Sequence, residues 1–225
     1  MRMRNVIALM SIFAAIPAAV AADLPGRGAA MSPAPVFVQN APFTWTGFYA
    51  GLNAGYGWGS YSKAANTIMA KQSGGELGVQ AGYNYQYGNL VLGVEGDVNG
   101  SWLSGSRSPA IGVATRGSLD WFGTLRGRVG FAADRALIYA TGGYAGGQVK
   151  SNIVSVLPAF VETSSSWRNG YALGAGIEYA FTNSISAKAE YLYMNLGSQI
   201  LFPANLPTPS SYSSSVIRAG VNYHF

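Results

Sequence analysis

Hydrophobic positions recur every second residue along most of this chain, beginning most clearly at its far end. In Ser215–Phe225, residues Ile217, Ala219, Val221, Tyr223 and Phe225 fall on one side, and Val216, Arg218, Gly220, Asn222 and His224 on the other. Strands alternate their side chains between two faces, so this stretch predicts a strand with one apolar and one mostly polar face. A terminal strand this apolar would be an aggregation-prone edge unless something paired with it. Pairing with the first strand, and so closing a barrel, removes that edge.

Seven further segments carry the same period: Gly47–Trp58, Gly75–Tyr87, Leu90–Trp102, Ser118–Phe131, Ala136–Val149, Trp167–Phe181 and Ser184–Leu196. In Ser118–Phe131 the alternation places Leu119, Trp121 and Leu125 opposite Asp120, Thr124, Arg126 and Arg128. Ala136–Val149 is the weakest, because its glycines blur the faces. The connections alternate in length. Gly88-Asn89, Ala132–Arg135 and Thr182-Asn183 are tight turns, whereas Gly59–Gly74, Leu103–Gly117, Lys150–Ser166 and Gly197–Ser214 read as long loops. Short turns on one side, long loops on the other and an even strand count predict an all-β fold, an eight-stranded antiparallel transmembrane β-barrel with periplasmic turns and external loops.

The aromatic residues give an independent check. Phe48, Tyr85, Tyr87, Phe131, Tyr179, Phe181, Tyr223 and Phe225 lie at the turn ends of the apolar faces, and Tyr56, Trp58, Trp102, Trp121, Tyr144, Trp167 and Tyr193 near the loop ends. Such rings favour both water–lipid boundaries. A soluble ligand-binding barrel has no reason to carry two belts on its outside.

Composition sharpens this reading. Charged residues make up 10 % of the chain, against about 25 % in typical globular domains. Glycine accounts for 30 residues and tyrosine for 14. No apolar run reaches the length of about 20 that a membrane helix needs. The absence of cysteine excludes disulfides, thiol catalysis and thiolate metal sites.

Residues 1–22 read as a secretory signal. Arg2 and Arg4 precede the short apolar core Val6–Ile16, and small residues permit cleavage after Ala21 or Ala22. Removing the two arginines lowers the formal charge from +5 to +3, so the basic balance gives no argument for nucleic acid. Residues 23–44 include Pro25, Pro33, Pro35 and Pro42 and predict an extended periplasmic segment, leaving 45–225 as the barrel.

Trp45-Thr46-Gly47-Phe48-Tyr49-Ala50-Gly51, Ala22-Asp23-Leu24-Pro25, Tyr139-Ala140-Thr141-Gly142-Gly143 and the Tyr223-His224-Phe225 end make the chain resemble the small porin-like outer-membrane β-barrel proteins of alphaproteobacteria. The resemblance covers essentially the whole mature chain. It implies an abundant protein of the cell outer membrane that supports envelope integrity. Lipids, lipopolysaccharide and the barrel-assembly machinery are its expected partners, the last reading Tyr223 and Phe225 as an assembly signal. Some members are described as porins and some as hemin binders. In some relatives an alanine amino group next to aspartate is joined to peptidoglycan, which Ala22 could supply if cleavage follows Ala21.

The polar faces gather Glu76, Glu95, Asp97, Asp120, Glu178 and Glu190 with Arg126, Arg128, Arg168, Lys188 and Arg218, six acids and five bases. Eight strands enclose a space just wide enough for side chains. Buried charges must be paired, so these predict an internal plug of ion pairs in preference to a pore lining. Counting from the tight turns matches Glu95 with Arg126, Glu178 with Lys188, and Glu190 with Arg218. His224 is the only histidine, and its sequence neighbours supply neither a serine nor a carboxylate. Tyr61 and Tyr212, in or near external loops, are the available tyrosines for heme iron. The glycine cluster Gly55-Tyr56-Gly57-Trp58-Gly59 lacks the following helix that a phosphate loop requires. Inward glycines more simply leave room for long Arg and Tyr side chains. No catalytic, metal or cofactor residue is assigned, and the chain reads as a non-enzyme.

Overall fold

A computed structural model describes residues 43–61, 69–156, 159–201 and 208–225. The expected signal over 1–22, the expected periplasmic segment up to residue 42 and Ala22 lie outside the described residues. Eight strands form the barrel: β1 (Gly47–Tyr61), β2 (Gln72–Tyr87), β3 (Leu90–Ala110), β4 (Val113–Ala133), β5 (Ala136–Val156), β6 (Ala159–Ala180), β7 (Ile185–Leu201) and β8 (Thr208–His224). Each pairs antiparallel with its sequence neighbours, and β8 returns to β1 to close the ring. Ala54 stands opposite Ala219 in that closing ladder, which runs from Tyr49↔His224 to Tyr61↔Tyr212. The terminal strand therefore leaves no open edge.

The tight turns fall where the sequence places them. Gly88, at φ 59°, turns β2 into β3, and Asp134, at φ 52°, turns β4 into β5. A backbone bond from the Phe181 N–H to the Ile185 carbonyl closes the turn between β6 and β7. At the opposite, far end the expectation of long loops needs correction. The Leu103–Gly117 stretch is strand on both sides of a turn at Ile111-Gly112, and strands β5 and β6 continue through most of Lys150–Ser166. These serine- and glycine-rich stretches keep the two-residue period, with Val149 and Ile153 buried inward and Lys150 exposed outward. Their ladders stay paired from Val113↔Ser155 downward and out to Val156↔Ala159. Composition alone does not separate a loop from a solvated antiparallel extension. Strands of 21 or 22 residues in β3–β6 exceed the roughly 9–11 that cross a bilayer, so the excess stands beyond it.

Both aromatic belts point outward, with Phe225 79 % exposed at the turn end and Trp102 66 % exposed at the far end. Between them the outer face carries Leu52, Val79, Val94, Leu125, Leu173 and Ile177, all exposed to what is lipid in a membrane. The outer surface between the belts is thus apolar, where that of a soluble protein would be largely polar.

The period breaks at several register shifts, on β3, β4 and β7, and the one on β4 changes the reading of a charged residue. On β4 the register jumps between Leu119↔Val149 and Trp121↔Gln148, so Asp120 is an extra residue, a β-bulge. The bulge lets Leu119 and Phe122 both point inward, where each is fully buried. Strict alternation had put Leu119 on the outer face and Asp120 inside. Both assignments are corrected by the single inserted residue.

Candidate functional site: the charged barrel interior

Inward-facing positions of β3, β4, β6, β7 and β8 bring four acids and four bases into one connected network. Arg126 donates from Nη2 to Glu95 Oε1 at 2.6 Å and to Asp97 Oδ2 at 2.9 Å, and from Nη1 to Glu190 Oε1 at 2.7 Å. Arg218 donates to Glu190 Oε1 from Nη2 at 2.7 Å and from Nε at 3.0 Å. It also reaches Asp97 Oδ2 at 3.3 Å. Lys188 Nζ lies 2.8 Å from Glu95 Oε2. Arg128 Nη2 donates to Glu178 Oε2 at 2.8 Å.

Neutral groups on the same inward face add further hydrogen bonds. Tyr49 Oη accepts from Arg128 Nη1 at 2.9 Å and donates to Glu95 Oε2 at 2.8 Å. Tyr139 donates to Glu190 Oε2 at 2.8 Å, and the Arg128 guanidinium lies 4.1 Å from the Tyr139 ring centroid. Asp97 accepts from Thr124 and Asn99, each at 2.5 Å. Glu178 accepts from Ser186 at 2.6 Å and Asn222 at 2.7 Å. Every one of the eight charged side chains is almost fully buried. Such burial is tolerable only because each charge is matched and multiply hydrogen-bonded.

Room for these long side chains comes from glycine. A Cβ at Gly82 would sit 2.5 Å from the Tyr49 hydroxyl, and one at Gly176 would sit 2.7 Å from the Tyr139 hydroxyl. The two tyrosines lie across the lumen only because those positions carry no side chain.

Of the three matches made by counting, Glu95–Arg126 and Glu190–Arg218 are ion pairs. Glu178 and Lys188 are ladder partners but bond elsewhere, Glu178 to Arg128 and Lys188 to Glu95. Asp120 does not belong to the interior. It pairs with Lys150 on the partly exposed outer surface, where their side chains are 32 % and 49 % accessible. Glu76 is buried on β2, across Gly55 from Arg218 in the ladders, and neither of its carboxylate oxygens has a hydrogen-bond partner among the described residues. Arg168 is buried in the far half without a carboxylate partner among them. Tyr223 and Phe225 point outward at the turn end, their rings 5.1 Å apart.

The turn end is closed by a residue that sequence reasoning left without a role. Trp45 is fully buried, donates from Nε1 to the Asp134 carbonyl at 3.2 Å, and packs its ring 5.7 Å from that of His224. His224 in turn lies with Nε2 2.9 Å from Ser186 Oγ. The fold therefore supplies the serine and carboxylate that the neighbours of His224 in the sequence do not. Their order is wrong for nucleophilic catalysis. The Ser186 hydroxyl donates to Glu178, and the imidazole is left to donate to the serine.

In the far half the interior turns apolar. Tyr61, Met69, Leu103, Leu119, Phe122, Val149, Ile153, Leu192, Met194, Tyr212 and Val216 form one buried cluster. Tyr61 and Tyr212, considered above as surface heme ligands, are buried with hydroxyls engaged by Ser151 and Gln72. The parity that placed the charges inside also places Tyr49, Thr124, Tyr139, Ser186 and Asn222 there. What it does not carry is which groups meet across the lumen.

Among relatives, the chain is 40 % identical over 212 residues to the 31 kDa outer-membrane immunogenic protein of Brucella melitensis biotype 1, covering 85 % of this chain and 88 % of that one. It is 33 % identical over 194 residues to the 25 kDa outer-membrane immunogenic protein of Brucella abortus biovar 1, covering 86 % and 85 %. It is 32 % identical over 191 residues to a 22 kDa outer membrane protein of Rhizobium leguminosarum bv. viciae, covering 83 % of each. Among solved structures, Neisserial surface protein A superposes with a TM-score of 0.49 at 17 % identity, over 80 % of this chain and 98 % of that one. The family profile for the outer membrane protein beta-barrel domain matches residues 6–225. With its closed antiparallel ring, outward aromatic belts and a family match that spans the barrel, this chain belongs to the outer-membrane β-barrel protein family of alphaproteobacteria.

Proposed function

We propose that the protein is a structural barrel that supports the integrity of the outer membrane and does not serve as a diffusion pore. The observation that carries this reading is the interior network. Arg126, Arg218, Lys188, Glu95, Asp97 and Glu190 bridge β3, β4, β7 and β8 across the lumen with contacts of 2.6 to 3.3 Å. Long Arg and Lys stems fill volume as well as supply charge. Trp45 seals the turn end. The outer face offers lipid and lipopolysaccharide an unbroken apolar band between aromatic belts, and the extended far ends of β3–β6 stand available to external ligands. Outward Tyr223 and Phe225 suit recognition by the assembly machinery, and attachment to peptidoglycan through Ala22 would add a second anchor to the envelope.

A strain lacking the protein tests this. Raised detergent sensitivity and leakage of periplasmic proteins are expected, both reversed by the wild-type chain. An unchanged envelope with slowed uptake of small hydrophilic solutes would instead support the pore.

A further inference from the structure

Arg168 is the one interior cation of the described residues that the ion-pair network does not use. It projects from β6 across the lumen and is 1 % exposed. Its Nη2 donates to Ser210 Oγ on β8 at 3.2 Å, and its guanidinium carbon lies 6.0 Å from the Tyr61 ring centroid on β1. Nε and Nη1 have no acceptor among the described residues. The other buried cations, Arg126, Arg128, Lys188 and Arg218, each lie within 3 Å of a carboxylate oxygen. A guanidinium withdrawn from water without a counter-charge is costly, and replacement by an apolar side chain would remove that cost.

Its polar neighbours are already tied to one another. Ser151, Tyr61, Gln72 and Tyr212 form a continuous hydrogen-bonded chain across β5, β1, β2 and β8, with contacts of 3.1, 3.3 and 2.9 Å. Gln72 spends its amide nitrogen on one tyrosine and its amide oxygen on the other, which fixes both rings. Tyr61 and Tyr212 belong to the buried apolar cluster of the far half, with Phe122, Met194 and Val216. In so dry a setting a single charge pair is strengthened. The planar fork of arginine matches the oxygens of a phosphate or carboxylate.

We infer that Arg168 is the centre of an oxyanion-binding site in the far half of the barrel. It takes one phosphate or carboxylate group, whether free in solution or carried on a lipid headgroup. The site lies outside the charge network of the turn-end half and is independent of whether that network conducts.

The test uses the full chain refolded in detergent, titrated at constant ionic strength with inorganic phosphate, with acetate and with a phosphorylated glycolipid. Binding is read by calorimetry and by phosphorus NMR. Saturable binding at one site is expected for the wild type, weakened at least tenfold in Arg168→Gln. Asp120→Asn, which removes a charge from the outer surface and not from the lumen, should leave binding unchanged. Binding of the glycolipid alone would assign the headgroup as the source, and binding of phosphate or acetate would assign a free anion. Absence of saturable binding by the wild type to all three probes would overturn the inference, and so would equal affinity in Arg168→Gln. Because the wild-type titration decides by itself, the test survives a variant that does not fold.

Discussion

Arg126 holds three carboxylates, and truncating it would leave Glu95, Asp97 and Glu190 each short of a donor. Arg126→Ala should therefore destabilise the barrel by about 3–5 kcal/mol, the usual cost of breaking a buried ion pair by removing one partner. Denaturant unfolding of the refolded barrel, followed by tryptophan fluorescence, measures it. Asp120→Asn offers the contrast, because its bridge to Lys150 is half in solvent. A loss of about 0–1 kcal/mol is expected there. Equal losses at the two sites would contradict the separation of interior and surface charge. Gly82→Val should also be destabilising, because its Cβ would meet both the Tyr49 hydroxyl and the Val94 carbonyl at 2.5 Å. At this scale the inward parity of the charges was legible in the sequence. Their partners were legible only in part. Lys188 faces Glu178 in the ladder yet reaches Glu95, 93 positions away in the chain, because a long flexible stem chooses its partner across the lumen. Trp45 carried no signal of its role, since nothing local marks a ring that will turn inward to cap a barrel.

Element by element, the strands were legible at the turn end and less so at the far end. Turn residues such as Gly88 mark their positions chemically. The far ends of β3–β6 lack such punctuation and differ from loops only in keeping their period. The bulge at Asp120 was not legible, because inserting one residue leaves a locally alternating pattern on either side of it. Two predictions belong to this scale. Leu125→Arg and Val94→Arg, both outward and exposed, should each cost about 2–4 kcal/mol when folding is measured into lipid vesicles. A negligible cost for both variants in lipid vesicles would contradict a lipid-facing surface. A nonspecific protease added to intact cells should cut at the far end, with Ile111-Gly112 the described turn open to it, and Ile111 is fully exposed. Cleavage at Gly88-Asn89 or Asp134-Arg135 instead would mean that the barrel is oriented the other way.

For the whole molecule, period, belts and turn spacing together specified an eight-stranded closed ring, because each independently requires one lipid-facing surface and no free edge. The division of the interior was not specified. A charged half closed by Trp45 and an apolar half around Phe122 both read simply as inward positions in the chain. That division underlies the central claim, which is a lumen filled by paired charges. Single-channel recording of the refolded wild-type protein in planar bilayers tests it most directly. The account predicts no stable conductance steps from the wild type. Reproducible openings whose ion preference changes in Arg126→Ala or Lys188→Ala would show that the charges line an open path and would contradict it.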